Sequence, residues 1–132
     1  MSKYNISKTE DEWREQLSEE QYRVLRTKGT EAPHTGKYNL HFENGAYNCA
    51  ACNQQLFESD SKFDAYCGWP SFDDAIKGTV ENVLDKSHGM IRTEIVCSNC
   101  GSHLGHVFND GPSETGQRYC VNSTSIKFDK NE

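Results

Sequence analysis

Four of the six cysteines fall in two pairs, Cys49/Cys52 and Cys97/Cys100, spaced C-x2-C-x44-C-x2-C. Each pair presents two sulfurs from one tight turn, and two such pairs complete a tetrahedral set around a single ion. Whatever fold this chain adopts must therefore bring residues 49–52 against residues 97–100. With four sulfurs at about 2.3 Å no coordination position remains for a reacting water, so the expected Zn2+ is structural. Two other readings use the same residues. One is an iron–sulfur cluster on the four thiolates; the other is a redox CxxC, which calls for a βαβ context that is missing around both pairs.

Cys67 and Cys120 remain outside the pairs. Three structural disulfides would account for all six cysteines, but they belong to an oxidising compartment. The first twenty residues argue against export: they carry Lys3, Lys8, Glu10, Asp11, Glu12, Arg14, Glu15, Glu19 and Glu20 and no apolar run of signal-peptide or membrane-spanning type. The expectation is a cytoplasmic protein whose two spare thiols are reduced. A net charge of -6 gives no concentrated positive surface, which argues against nucleic acid or an anionic membrane as partner. At 132 residues the chain reads as one domain, 1–132, small enough for a structural metal to help it fold.

Two capping-box patterns, Thr9-x-x-Glu12 and Ser18-x-x-Gln21, predict two short N-terminal helices. Trp13 with Leu17 and Tyr22 with Leu25 give each a narrow apolar stripe, and Gly29 is expected to end the second. Beyond Lys37 the period changes to two. Tyr38, Leu40 and Phe42 alternate ahead of Asn44-Gly45, a hairpin signal. Further strands are expected at Gln55–Glu58, Val80–Leu84, Met90–Cys97, Leu104–Phe108, Arg118–Asn122 and Ser125–Phe128, bounded by turn residues. The sum is a mainly β, antiparallel domain with a helical N-terminal flank. Asn109–Gln117, with Gly111, Pro112 and Gly116, is a loop leading straight to Cys120 and is expected to border a site.

A lone cysteine on a strand is ordinarily a small buried hydrophobe. Here Arg118, Cys120 and Asn122 share one face of an extended strand, so a cation and an amide flank the sulfur and favour its thiolate. His103 and His106 lie three apart, on opposite faces of an ideal strand, unless Gly105 marks a bulge that brings them together. One surface and one core histidine fit the spacing equally well. In Cys67-Gly68-Trp69-Pro70 the proline holds Trp69 extended, so the indole is either a fixed pocket wall or ordinary core.

These segments resemble one family throughout: Tyr22-Arg23-Val24-Leu25-Arg26 with Gly29-Thr30-Glu31, Cys67-Gly68-Trp69-Pro70-Ser71-Phe72, His103-Leu104-Gly105-His106-Val107-Phe108 with Asp110-Gly111-Pro112, and Arg118-Tyr119-Cys120-Val121-Asn122-Ser123. Nearly the whole chain is similar to the B-type methionine sulfoxide reductases, the peptide-methionine (R)-S-oxide reductases, which reverse methionine oxidation. The resemblance implies a pair of antiparallel sheets with N-terminal helices. It makes Cys120 the nucleophile, Cys67 the recycling cysteine and the four paired cysteines zinc ligands, and it makes Trp69 the wall for the sulfoxide methyl. His103, His106 and Asn122 become the polar groups around the sulfoxide oxygen, with Phe108 and Arg118 beside the substrate. It also implies oxidised proteins or peptides as substrates and thioredoxin as reductant. Asn109 stands where the family commonly has Asp, and His34 where it commonly has an aromatic.

Overall fold

The computed structural model describes residues 6, 8–65, 67–86 and 89–130. Lys3 of the N-terminal charge run and Tyr66 beside Cys67 lie outside the described residues. Both capping boxes form, at the starts of helices α1 (Glu10–Gln16) and α2 (Glu19–Leu25). In each, the hydroxyl accepts from the backbone of the third residue on, and that residue's side chain accepts from the cap. A cap of this kind contributes about 1 kcal/mol, which matters for helices of only 7 residues. Their remaining stability is tertiary: Trp13, Leu17, Val24 and Leu25 are buried, while Tyr22 is only partly covered. Gly29 does not end α2. Arg26 is its C-cap, Lys28 takes the left-handed turn at φ 62, and the Gly29 N–H closes the end on the Arg23 carbonyl.

Among the described residues nine strands build two antiparallel sheets. They are β1 (Gly45–Cys49), β2 (Gln55–Glu58), β3 (Lys62–Phe63), β4 (Ser71–Phe72), β5 (Val80–Asp85), β6 (Arg92–Cys97), β7 (His103–Phe108), β8 (Arg118–Val121) and β9 (Ile126–Lys130). The smaller sheet has the order β2-β1-β9 and the larger β3-β4-β8-β7-β6-β5. The sheets meet through Phe72 of β4, which stacks on Phe57 of β2 at 4.3 Å and meets Tyr47 of β1 edge-on at 5.1 Å. Aromatic pairs of this kind add about 0.5–1.5 kcal/mol each beyond the apolar area they bury. Among the described residues no helix is long and apolar enough to cross a membrane.

One expected strand is absent. Tyr38 and Leu40 lie in turns and Phe42 in irregular chain, with Asn39 N–H bonded to Gly36 and His41 N–H to Tyr38, and Leu40 and Phe42 are exposed. The alternation finds no partner there because both edges of β1 are taken, by β2 and by β9. Tyr38 is buried instead in an aromatic cluster with Tyr47, His41 and Phe128. Asn44-Gly45 is likewise no hairpin. Gly45 begins β1, where a Cβ would lie 2.4 Å from the Asp129 carbonyl oxygen, so its role is close strand approach. Strand ends also shift by a residue or two: Met90 and Ile91 stay outside β6, and Asn122 follows β8.

Candidate active site and metal centre

The two CxxC turns are built alike. In each, the first cysteine ends a strand and its N–H donates to the carbonyl five residues on, Cys49 to Gln54 and Cys97 to Ser102. Its own carbonyl accepts from the residue four on, Asn53 or Gly101, both at positive φ. This geometry points both sulfurs of a pair the same way. The four Sγ atoms lie within 4.8 Å of one another, with Cys49 to Cys100 at 3.7 Å and Cys52 to Cys97 at 3.5 Å. Sulfurs at about 2.3 Å from a central zinc form a tetrahedron of edge about 3.8 Å, so the four positions fit a metal ion without rearrangement. Gln54 Nε2 and Asn99 Nδ2 point hydrogens at Cys97 and Cys52, at 3.5 and 3.4 Å, and Ser102 Oγ lies 3.1 Å from Cys100 Sγ. Arg26 ties α2 to this centre through the Cys100 carbonyl and Ser102, each at 3.0 Å.

The second constellation lies along β8. Cys120 is flanked across the sheet by Ser71 of β4 on one side and His106 of β7 on the other, both as Cα partners. A cavity of about 270 Å³ opens there, lined by Cys67, Trp69, His106, Arg118, Cys120 and Asn122 with Phe108, Thr30 and Arg92 around them. A larger hollow of about 540 Å³, bordered by Tyr119, Glu58 and Asp74, has neither cysteine nor histidine in its lining.

Cys67 Sγ stands 3.7 Å from Cys120 Sγ and 3.4 Å from Ser71 Oγ. The two sulfurs hold one proton between them. Their mutual hydrogen bond pushes the Cys67 thiol down to about 5 against its burial, and the same bond with burial pushes Cys120 up. Arg118 favours negative charge on either sulfur. Either sulfur of the pair is able to donate in that bond, and one thiolate is favoured beside one thiol. Arg118 is held by a two-point pair with Asp110, at 2.8 and 3.2 Å, and covers the Phe108 ring at 4.5 Å. The Asn109–Gln117 loop thus does border the cavity.

The histidines do come together. Ile95 pairs with Gly105 but Val96 with His103, so Leu104 is an extra residue in β7 and the two rings come to 5.7 Å. Gly105 is required here for another reason: a Cβ on it would lie 2.0 Å from the Cys120 carbonyl oxygen. Only His106 lines the cavity, with Nε2 bonded to Asp85 at 2.8 Å. Burial holds its pKa below the ordinary value, against the Asp85 hydrogen bond. His103 is buried behind it, with Nδ1 bonded to Glu94 at 2.7 Å. Burial opposes ionisation of Glu94, yet the His103 bond together with Lys28 leaves its carboxyl below the usual range.

Glu31 was not singled out as a site residue in the sequence, although it closes the Gly29-Thr30-Glu31 motif. Its carbonyl accepts from Trp69 Nε1 and its N–H donates to Asn122 Oδ1, both at 3.0 Å. Its carboxylate caps Thr124 through both N–H and Oγ1. One residue thereby sets the indole and the amide relative to each other. Asn122 Nδ2 bonds to the carbonyl of the bulged Leu104 at 3.2 Å. Asp85, Arg92 and Glu94 leave no local pattern, because register alone brings them beside the histidines.

A model of the SelR domain matches residues 17–130. The chain belongs to the SelR family, the B-type methionine sulfoxide reductases. Proteins named peptide methionine sulfoxide reductase MsrB are similar to it over nearly their full lengths. That of Variovorax paradoxus (strain S110) is 54% identical, over 95% of this chain and 96% of the relative. The Leptospira interrogans protein is 54% identical over 96% and 98%, and the Agrobacterium fabrum protein 56% over 94% and 93%.

Proposed function

We propose that this chain reduces the R epimer of peptide-bound methionine sulfoxide to methionine and so repairs oxidised proteins. The observation that carries the reading is two sulfurs 3.7 Å apart in a cavity that Trp69 walls and His106 faces. Relatives of the same length, named for methionine sulfoxide reduction, support it.

A sulfoxide offers an electrophilic sulfur and a basic oxygen, so its reduction needs a nucleophile and an acid. The proton shared by the pair passes to Cys67, and the Cys120 thiolate attacks the sulfoxide sulfur. His106, as imidazolium, protonates the oxygen; Nε2 is committed to Asp85, so Nδ1 is the nitrogen that serves the substrate. His103 and Asn122 support that oxygen's surroundings from behind. The S–O bond breaks between substrate sulfur and oxygen, methionine leaves, and Cys120 carries the oxygen as sulfenic acid. Trp69, pinned through Nε1 to the Glu31 carbonyl, presents its negative face to the polarised methyl. Phe108 and Arg118 border the substrate side chain.

Cys67 then attacks Cys120 sulfur, water is released, and the sulfurs close from 3.7 Å to a bond of about 2.05 Å. An external dithiol of the thioredoxin type, with a potential near about -270 mV, reduces the disulfide in the cytoplasm. Cys49, Cys52, Cys97 and Cys100 hold one Zn2+, which supplies folding energy and joins the two CxxC turns.

The deciding experiment assays separated R and S epimers of a peptide methionine sulfoxide with a dithiol reductant. Methionine should form from the R epimer only. Disulfide reduction without sulfoxide reduction would instead identify a general thiol–disulfide oxidoreductase.

A further inference from the structure

His106 is the one histidine lining the cavity among the described residues, and its ring is anchored from β5, two strands over from its own β7 and three from the β8 that carries Cys120. Asp85 is the last residue of β5, and its Cα partner on β6 is Arg92. Asp85 Oδ2 lies 2.8 Å from His106 Nε2 and 3.5 Å from an Arg92 guanidinium nitrogen. All three side chains are largely covered, with exposures of 17% for Asp85, 14% for His106 and 26% for Arg92. We propose that Asp85, kept ionised by Arg92, is a positioning residue that fixes the ring and tautomer of His106 so that Nδ1 alone exchanges a proton with the substrate.

An ionised carboxylate only accepts hydrogen bonds, so Nε2 must carry a hydrogen whether the ring is neutral or charged. The neutral ring then has its lone pair at Nδ1. His103 is wired in the opposite sense, with Nδ1 committed to Glu94, so the two histidines are not interchangeable. An oriented carboxylate beside an imidazole also favours the cation, which is the form that donates. Other charged or titratable groups face His106 as well. They are Glu94 as its Cα partner on β6, His103 on its own strand, and Cys120 with Arg118 and Cys67 across β8.

The proposal rests on His106 acting as the acid in sulfoxide reduction, and the test separates the two. Single-turnover methionine formation is followed against pH for Asp85→Asn, Asp85→Glu, His106→Ala and the double variant Asp85→Asn/His106→Ala. Asp85→Asn should slow the step about tenfold near neutral pH, with the limb governed by the acid moved to lower pH. Substrate affinity and zinc content should be unchanged, and Asp85→Glu should recover most of the rate. In the His106→Ala background, Asp85→Asn should cost nothing further. A wild-type rate and profile in Asp85→Asn, or a loss that adds in full to that of His106→Ala, overturns the proposal. Nitrogen NMR of wild-type His106 gives an arm free of activity and of variant folding: the neutral ring should carry hydrogen on Nε2, and hydrogen on Nδ1 would refute the assignment. Inertness of the wild type toward sulfoxides would sink the functional reading while leaving that NMR result standing.

Discussion

Gly105→Ala tests how closely the chemistry depends on strand approach. Gly105 is the Cα partner of Val121 on β8 and of Ile95 on β6. A Cβ there would stand 2.0 Å from the Cys120 carbonyl oxygen and 3.0 Å from its carbonyl carbon. Both obstacles are backbone, so no side chain can swing aside, and relief requires β7 and β8 to part by about 1 Å. Overpacking of this kind costs about 1–3 kcal/mol, and the upper end applies because a hydrogen-bonded ladder must give way. For a chain of this size that is a fall in Tm of roughly 10 °C. The same displacement moves His106 from Cys120, and a misplacement of about 1 Å at reacting groups slows turnover about a hundredfold. Thermal unfolding followed by circular dichroism reads the first quantity, and single-turnover methionine formation at saturating sulfoxide reads the second. Gly78→Ala is the control: its φ is +83 with nothing within 4 Å of a Cβ. It should lose about 1–2 kcal/mol to backbone strain and none of the rate. If Gly105→Ala melts and reacts like the wild type, close approach of β7 to β8 does not set this site. Lost stability at full rate would refute the coupling of register to chemistry.

Cys120→Ser should abolish even the first turnover, while Cys67→Ser should yield about one methionine per chain and a trappable sulfenic acid at Cys120. Normal thioredoxin-driven turnover by Cys67→Ser would remove the recycling role. Metal analysis should find about one zinc per chain. Because structural zinc binds with about 10–16 kcal/mol and domain stability is only about 5–15 kcal/mol, chelation should abolish cooperative melting; a metal-free protein with an unchanged transition would contradict this. The second-order rate constant for sulfoxide should rise as pH falls from about 8 toward 6, since burial holds His106 below its ordinary 6.5 and the imidazolium grows up to about tenfold per unit. It should turn down below about 5, where the Cys67–Cys120 pair takes up its second proton. Stability runs the opposite way. Protonating His106 costs more in the folded state, so its contribution is complete above 6.5 and declines as pH drops below it. A denaturant midpoint that is flat from pH 7 to 5 would contradict that linkage.

Local chemistry determined what is local. The two capping boxes and the helices they start, the period-two segments that became β2, β5, β6, β7 and β8, and the paired cysteines are all set by neighbours within a few residues, and each forms as the sequence predicts. The spare sulfurs were legible for the same reason, whereas the bulge was one of two open readings and falls at Leu104 rather than Gly105. Tyr38–Phe42 failed because alternation states only that a segment is able to pair, while pairing needs a vacant edge, and β1 has both edges filled. Glu31 acts through its main chain, whose donor and acceptor every residue possesses, so no side-chain pattern marks it. Asp85 and Arg92 face each other only because β5 and β6 pair in one register, and they reach His106 because β6 and β7 pair Glu94 with His106. A shift of one residue in either ladder turns those side chains to the opposite face. The sequence by itself thus determined which groups are available to the proposed chemistry, since identity and short spacing are properties of the chain. How the two spare sulfurs meet and which nitrogen of His106 faces Asp85 were decided only by the tertiary structure, because both depend on distances of a few ångströms between residues far apart in the chain.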